Sequence, residues 1–245
     1  MTDPASAPRT VLITGAAKGL GREVARQLAA QGHHVLLAAR RAADAEAAAA
    51  ELGEHVDALR VDLDVTDPDA VAAAAAALAA EPGELDVLVN NAAGYVDWGE
   101  TASGADLDAS RAVMEVNLYG SWRLTQALLP LLRRSPAPRI VNVSSGAGSH
   151  GDPAFGLTAR GGAAASYGIS KAALNALTST LATELAATGV LVNAVCPGLT
   201  ATYPGAEAMG ARPVEESAAG VVWAGTLPAD GPIGGFFRDR EPLPW

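Results

Sequence analysis

The sequence predicts a single α/β domain in which a parallel sheet is covered by helices on both faces. Three observations predict it. Short apolar runs alternate with helical patterns along all 245 residues. Most of those runs are continuous rather than alternating, which suits strands buried on both faces. The first run is followed at once by a glycine-rich turn that opens a helix. No linker, repeat of defined period or charge block divides the chain, so 1–245 reads as one unit, with 1–8 a flexible tail.

Val11-Leu12-Ile13 is the first strand, ended by Thr14-Gly15. A helix through Val24, Ala25, Leu28 and Ala29 follows, and Gly32 ends it as a C-terminal glycine does. Val35–Ala39 is the second strand, and Ala42–Leu52 a helix closed by Gly53. Val56–Val61 is the third strand. Thr66-Asp67-Pro68 then supplies an oxygen-bearing cap and a proline near the first turn of another helix. Leu85–Val89, Ile140–Val143, Val190–Val195 and Gly235–Phe237 are further strands. Between them lie a long helical stretch, Ala105–Arg134, a second over Ala163–Ala187, and a short helix within Pro213–Leu227.

Composition narrows the partners. The chain has 17 basic and 27 acidic residues, a net charge of -10. That argues against nucleic acid or an anionic membrane as the main partner. The one cysteine, Cys196, allows no intramolecular disulfide and no cysteine metal cluster, which fits a reducing cytoplasm. It reads as a small buried hydrophobe. The four histidines show no metal spacing. Met1–Thr10 has no apolar signal core, and the alanine-rich run Ala70–Ala80 is too short to span a bilayer.

The turn Gly15-Ala16-Ala17-Lys18-Gly19-Leu20-Gly21 is the first chemical signal. Glycines between a strand and a helix allow a tight turn, close approach to a pyrophosphate and tight helix packing. The helix start offers unpaired N–H groups and a partial positive charge. Gly15, Lys18, Gly19, Leu20 and Gly21 are therefore the expected contacts of a dinucleotide. A purely structural turn is the alternative. At the end of the second strand an acid would select NAD, whereas arginine accommodates a 2′-phosphate. The chain has Arg40-Arg41 there, with Lys18 nearby, so the expected cofactor is NADP(H), Arg40 being the phosphate contact.

The second signal is Tyr167-Gly168-Ile169-Ser170-Lys171. Residues four apart are neighbours on a helix face. An ammonium there favours phenolate over phenol. Tyrosine ionises near ~10, so bringing it to neutral pH needs about three units, or roughly 4 kcal/mol. A buried lysine and a nearby cofactor charge are a source for that shift. The pair alone also fits an ordinary surface helix.

Together these stretches resemble the short-chain dehydrogenase/reductase family, and within it the NADP-dependent carbonyl reductase branch. The matching residues are Thr14-Gly15-x-x-x-Gly19-x-Gly21, Asp64-Val65, Asn90-Asn91-Ala92-Ala93-Gly94, Asn117, Ser144-Ser145, Tyr167-x-x-x-Lys171 and Pro197-Gly198, in that order. The tail from Gly231 to Trp245 resembles the same branch. The resemblance implies a Rossmann fold with a doubly wound, seven-stranded parallel sheet. It implies that Tyr167 passes a proton to or from the substrate oxygen, that Lys171 lowers the tyrosine pKa and contacts the nicotinamide ribose, and that Ser145 hydrogen-bonds the substrate oxygen. Asn117 would interrupt the long helix and hold a water linking Lys171 to solvent. Asp64 with Val65 would meet the adenine edge and Asn90 the adenosine ribose. Pro197, Gly198 and Thr202 would border the nicotinamide. Taken singly, Ser144-Ser145 is also a common turn, Asn117 a helix breaker and Asp64 a turn cap. A hydrolytic Ser145–His150 pair lacks the G-x-S-x-G elbow.

The implied activity is reduction of a ketone or aldehyde to an alcohol. The same chemistry run as an alcohol dehydrogenase, or a catalytically silent dinucleotide-binding regulator, are the alternatives. The partner is a small carbonyl or alcohol, and an apolar one is expected from Val96, Trp98, Phe155, Tyr203, Met209 and Trp245. Ser145 and Tyr167 stand 22 residues apart, further than in compact family members, so 146–165 reads as an insertion. It is expected to line the substrate mouth and to block the helix packing of tetrameric relatives, leaving a monomer.

Overall fold

The computed structural model describes residues 7–80, 84–202 and 205–245. Most of the expected tail, Tyr203 and the Met209 side chain lie outside the described residues. The strands are β1 (Thr10–Thr14), β2 (His34–Ala38), β3 (Val56–Ala58), β4 (Val87–Asn90), β5 (Arg139–Val143), β6 (Leu191–Val195), β7 (Phe236–Arg238) and β8 (Glu241–Pro242). They form one sheet in the order β3-β2-β1-β4-β5-β6-β7-β8. All neighbours are parallel except β7 and β8. The chain runs outward from β1 through β2 and β3, then returns to the other side of β1 at β4. Ligands of such sheets bind outside the carboxyl ends of the strands at that reversal.

Each strand alternates between two cores. Leu12, Leu88, Ile140 and Val192 face the helices α3 (Pro68–Ala80), α5 (Ser121–Leu132) and α6 (Ala165–Leu185). Val11, Ile13, Val35, Val87 and Val141 face α1 (Gly19–Ala30), α2 (Ala42–Leu52) and α7 (Val214–Gly225). The remaining helix, α4 (Leu107–Met114), is capped by Asp106, which accepts from the Asp108 and Ala109 amides. Arg9 and Arg139 are buried at the opposite edge of the sheet, and both donate to the Leu227 carbonyl just past the end of α7. Cations suit the end of a helix, although burial pulls Arg139 down to about 10.

One expectation needs correction. The sheet has eight strands, not seven. Asp239 and Arg240 both take positive φ (56° and 68°), which makes the tight turn of a hairpin and folds Glu241–Pro242 back on β7. The stretch Ala105–Arg134 is helical with an interruption at Asn117, as expected. It is α4 and α5 joined through a π-helical turn at Glu115–Gly120. Gly120 allows that turn to sit against β3's following segment: a Cβ there would lie 2.6 Å from Val65 Cγ2. Among the described residues no helix is long and apolar enough to cross a membrane, and no His/Cys/Asp/Glu group is arranged to hold a metal.

Candidate active site

The glycine turn lies at the carboxyl end of β1. Gly15 and Gly19 have φ of +62° and +57°, a region that glycine enters without cost. Gly21 faces the turn so closely that a Cβ would stand 2.6 Å from Asn91 Nδ2 and 2.9 Å from the Gly15 carbonyl oxygen. Asn91 Nδ2 donates to the Thr14 and Gly15 carbonyls and locks the turn to the end of β4. Lys18 precedes α1 in extended conformation and makes no side-chain cap. The first amides of α1 therefore face outward without a side-chain partner, as an anionic pyrophosphate requires. Thr202 lies across the turn, its methyl 3.5 Å from where a Gly19 Cβ would be. Leu20 packs partly into the core. These features fit a dinucleotide.

At the end of β2 the two arginines differ. Arg41 is engaged by Asp44, with Nε donating at 2.9 Å. Arg40 is exposed and makes no hydrogen bond or ion pair among the described residues. Lys18 is also exposed. Asp64 accepts from the Thr66 hydroxyl (2.7 Å) and amide (2.9 Å), and these bonds hold its carboxyl below the usual range. Both use Oδ1, so Oδ2 remains open. The Val65 side chain is buried and its carbonyl accepts from Arg123 Nη1 at 2.7 Å, which leaves its amide for any ligand. The Asn90 side chain is buried as well and donates to Asn142 Oδ1 (2.8 Å) and Thr125 Oγ1 (3.1 Å). It ties β4 to β5 and α5.

Asn117 lies within the π-helical turn, fully buried. Its Nδ2 donates to Ser170 Oγ (2.9 Å) and the Gly94 carbonyl (3.1 Å), and its Oδ1 accepts from the Gly94 amide (2.8 Å). The amide thus joins the segment after β4 to α6. It makes no contact with Lys171 of hydrogen-bond length.

The serine pair after β5 divides by direction. Ser144 is buried and donates to Asn175 Oδ1 on α6 at 2.5 Å. Ser145 is half-buried, and its Oγ accepts from the Ala147 amide (3.2 Å). Its hydroxyl hydrogen is left for Tyr167 or a ligand. Tyr167 and Lys171 stand on the first turns of α6, both buried. Lys171 Nζ lies 5.7 Å from the centre of the phenol ring. It donates to the Val143 carbonyl at 2.9 Å rather than to the phenol oxygen. Burial lowers its pKa from 10.5 to about 8.

The phenol does not behave as the spacing alone suggests. Tyr167 is only 7% exposed. Tyr95 stacks on it with centroids 5.4 Å apart, and Trp98 meets it edge-on at 5.4 Å. Those two covering rings are 62% and 44% exposed. Burial pushes the phenol pKa up, Tyr95 adds to the rise, and the Ser145 hydroxyl opposes it. Lys171 donates to the Val143 carbonyl, so no hydrogen bond from its ammonium to the phenol oxygen offsets that rise. Glu100 secures the cover: its Oε2 accepts from the Ser166 amide (2.8 Å) and its carbonyl from Ala165 (3.3 Å) at the start of α6.

Beyond β6, Gly198 takes φ +77° and Arg212 clamps the loop by donating from Nε to the Pro197 carbonyl at 2.9 Å. The segment 146–165 is anchored to the C-terminal segment: the His150 amide donates to the Trp245 carbonyl and Ser149 Oγ to that of Pro244. Tyr95, Glu100 and Arg212 were not picked out from sequence. Tyr95 had a signal, since it follows the Asn90–Gly94 motif directly. Arg212 had none, because its partner lies 15 residues away in a loop without periodicity.

The sheet order, with the glycine turn at the reversal point, defines a Rossmann-type α/β fold. Over residues 9–209 the chain matches the model of the short chain dehydrogenases, and it belongs to that family. "Short-chain dehydrogenase/reductase 1" of Saponaria officinalis is 33% identical over 97% of this chain and 96% of its own. The NADPH-bound carbonyl reductase from chicken fatty liver superposes with a TM-score of 0.82 at 27% identity, covering 97% of this chain and 99% of that one. A 3-ketoacyl-(acyl-carrier-protein) reductase from Brucella melitensis complexed with NADH gives 0.80 at 26% identity, over 95% and 97% of the two chains.

Proposed function

We propose that the protein reduces a ketone or aldehyde to an alcohol with NADPH. The observation that carries this reading is the convergence of Tyr167, Lys171 and Ser145 at the carboxyl end of β5, on the sheet edge that also bears the open glycine turn. NADPH, when bound, supplies the hydride. The Tyr167 hydroxyl gives its proton to the substrate oxygen as negative charge develops there. Ser145 Oγ donates a hydrogen bond to the same oxygen, and such preorganised donors are worth most in a dry site. Lys171 stabilises the phenolate left behind, being the one buried ammonium beside that ring among the described residues. Asn117 holds the Gly94 segment, and with it the Tyr95 and Trp98 cover, to α6.

NADPH is favoured over NADH by Arg40 and Lys18, exposed and in no direct ion pair among the described residues, and by the lack of an acid at the end of β2. The nicotinamide contacts would come from Pro197, Gly198 and Thr202, and the adenine contact from Asp64 Oδ2. An uncharged, apolar substrate suits the aromatic cover and the acidic chain. The insertion over 146–165 and the single-domain organisation over 1–245 belong to the same reading, as does a cytoplasmic setting that keeps Cys196 reduced. A monomer is the associated state, tested by sizing chromatography, and a tetramer refutes it.

The experiment is NADPH and NADH oxidation against a panel of ketones and aldehydes. Faster reduction with NADPH is expected, and a preference for NADH sinks the cofactor assignment. One observation favours a catalytically silent regulator: the buried phenol is covered by Tyr95 and separated from the ammonium. Dinucleotide binding with no turnover across the panel would establish that second reading.

A further inference from the structure

Asp152 lies in the insertion and is a carboxylate only 3% exposed. A buried carboxylate needs a partner. Its partner comes from 86 residues further along, at the end of β7, where Arg238 Nη2 donates to Asp152 Oδ2. Asp152 Oδ1 accepts from the Ala154 and Phe155 amides, at 2.9 and 3.2 Å. The Arg238 guanidinium also lies 5.5 Å from the centre of the Phe155 ring. The pair is thus fixed in plane and direction.

Its location gives it a consequence beyond anchoring. Gly146, the residue after Ser145, has no room for a Cβ, because Arg238 Nη2 and Asp152 Oδ2 occupy that space. The same guanidinium reaches Cys196 Sγ through Nε and Nη2, both at 3.4 Å. That sulfur also accepts from the Gly146 amide (3.1 Å) and the Gly198 amide (3.4 Å). One side chain therefore bears on the turn that carries Ser145 and, through the thiol, on the turn after Pro197. The direction of Ser145 Oγ depends on where Gly146 goes, since the hydroxyl accepts from the Ala147 amide at 3.2 Å.

We propose that Arg238, paired with Asp152, is a positioning residue that sets the Ser145 hydroxyl against the substrate oxygen by bracing Gly146 and the Cys196 thiol. The proposal rests on the carbonyl-reduction reading. Arg238 touches no reacting atom. Its effect falls on the rate of the chemical step, because a donor misplaced by about 1 Å costs up to roughly a hundredfold. The glycine turn, which would hold the pyrophosphate, lies on the far side of β4, so the dinucleotide loses less than the chemical step even though Gly198 donates to the braced thiol.

The variants are Arg238→Met and the double variant Asp152→Asn/Arg238→Met. The single variant strands a buried charge and lowers Tm. The double variant removes both charges and regains most of that Tm. In both, kcat for carbonyl reduction falls by about tenfold to a hundredfold, while the dissociation constant for NADPH changes by less than the rate does. Amide hydrogen exchange across Gly146–Ser149 speeds up in both. A double variant that recovers kcat along with Tm overturns the proposal, since the pair then only pins the insertion. Should the wild type reduce no carbonyl with either dinucleotide, the function reading fails by itself. The exchange measurement then decides the positioning role: faster exchange in the double variant upholds it, and unchanged protection overturns it.

Discussion

Replacing Lys171 by methionine tests the electrostatics of the site without needing a substrate. The folded ammonium titrates at about 8 against 10.5 for an ordinary lysine. That difference corresponds to about 3 kcal/mol, at ~1.36 kcal/mol per unit. The sign follows from proton counts. Below pH 8 the lysine is charged in both folded and unfolded chains, and the full cost of burying it is present. Between pH 8 and 10.5 the folded lysine has lost its proton and the unfolded one has not, so wild-type stability rises with pH. Above 10.5 the cost is gone. Methionine has no proton to lose, so the stability of Lys171→Met relative to wild type falls by about 3 kcal/mol across that window. The bond lost to the Val143 carbonyl, worth about 1–3 kcal/mol, shifts the comparison by a nearly constant amount and leaves its pH slope intact. Urea unfolding of both proteins at pH 7.5 and 10 in one salt concentration measures the change. A stability difference that is flat in pH, or that moves the other way, refutes the reasoning.

Other outcomes follow from the same geometry. Gly21→Ala forces a Cβ against Asn91 and the Gly15 carbonyl, so calorimetry should show dinucleotide binding lost, with a stability drop of about 1–3 kcal/mol. Arg40→Ala should weaken NADPH by about tenfold or more and leave NADH unchanged, because only the 2′-phosphate loses a charged hydrogen bond. Tyr95→Ala uncovers Tyr167 and should bring its phenol down toward the ordinary tyrosine range. Ultraviolet pH titration of Tyr95→Ala against Tyr95→Ala/Tyr167→Phe isolates that phenol, and an unmoved value would contradict burial as the cause.

Local punctuation made much of the fold legible. Gly32 and Gly53 mark the ends of α1 and α2, and Pro68 opens α3 where the cap-proline pattern put it. β8 was hidden because its turn, Asp239-Arg240, reaches positive φ without glycine. Asn117 was legible as an interruption, but the π-helical geometry and the bonds to Gly94 and Ser170 depend on chain segments that meet only in the fold. The resemblance gave Asn90 to the adenosine ribose; the buried network of its amide with Asn142 and Thr125 depends on segments that meet only in the fold. Spacing put Tyr167 and Lys171 on neighbouring turns of α6, as observed. It carried no information on where the ammonium donates, which is set by the Val143 carbonyl arriving from β5. Arg212 and Arg238 escaped for the same reason, since each acts on carbonyls, a thiol or a carboxylate distant in sequence.

The central claim is that the Tyr167 hydroxyl delivers the proton while the dinucleotide, anchored at the glycine turn, supplies the hydride. The most direct measurement pairs NADPH affinity with single-turnover carbonyl reduction in wild type and Tyr167→Phe, starting from enzyme saturated with NADPH. The account predicts matching affinities and a reduction rate lower by about 10²–10⁴-fold in the phenylalanine variant. Equal single-turnover rates in the two proteins would contradict it.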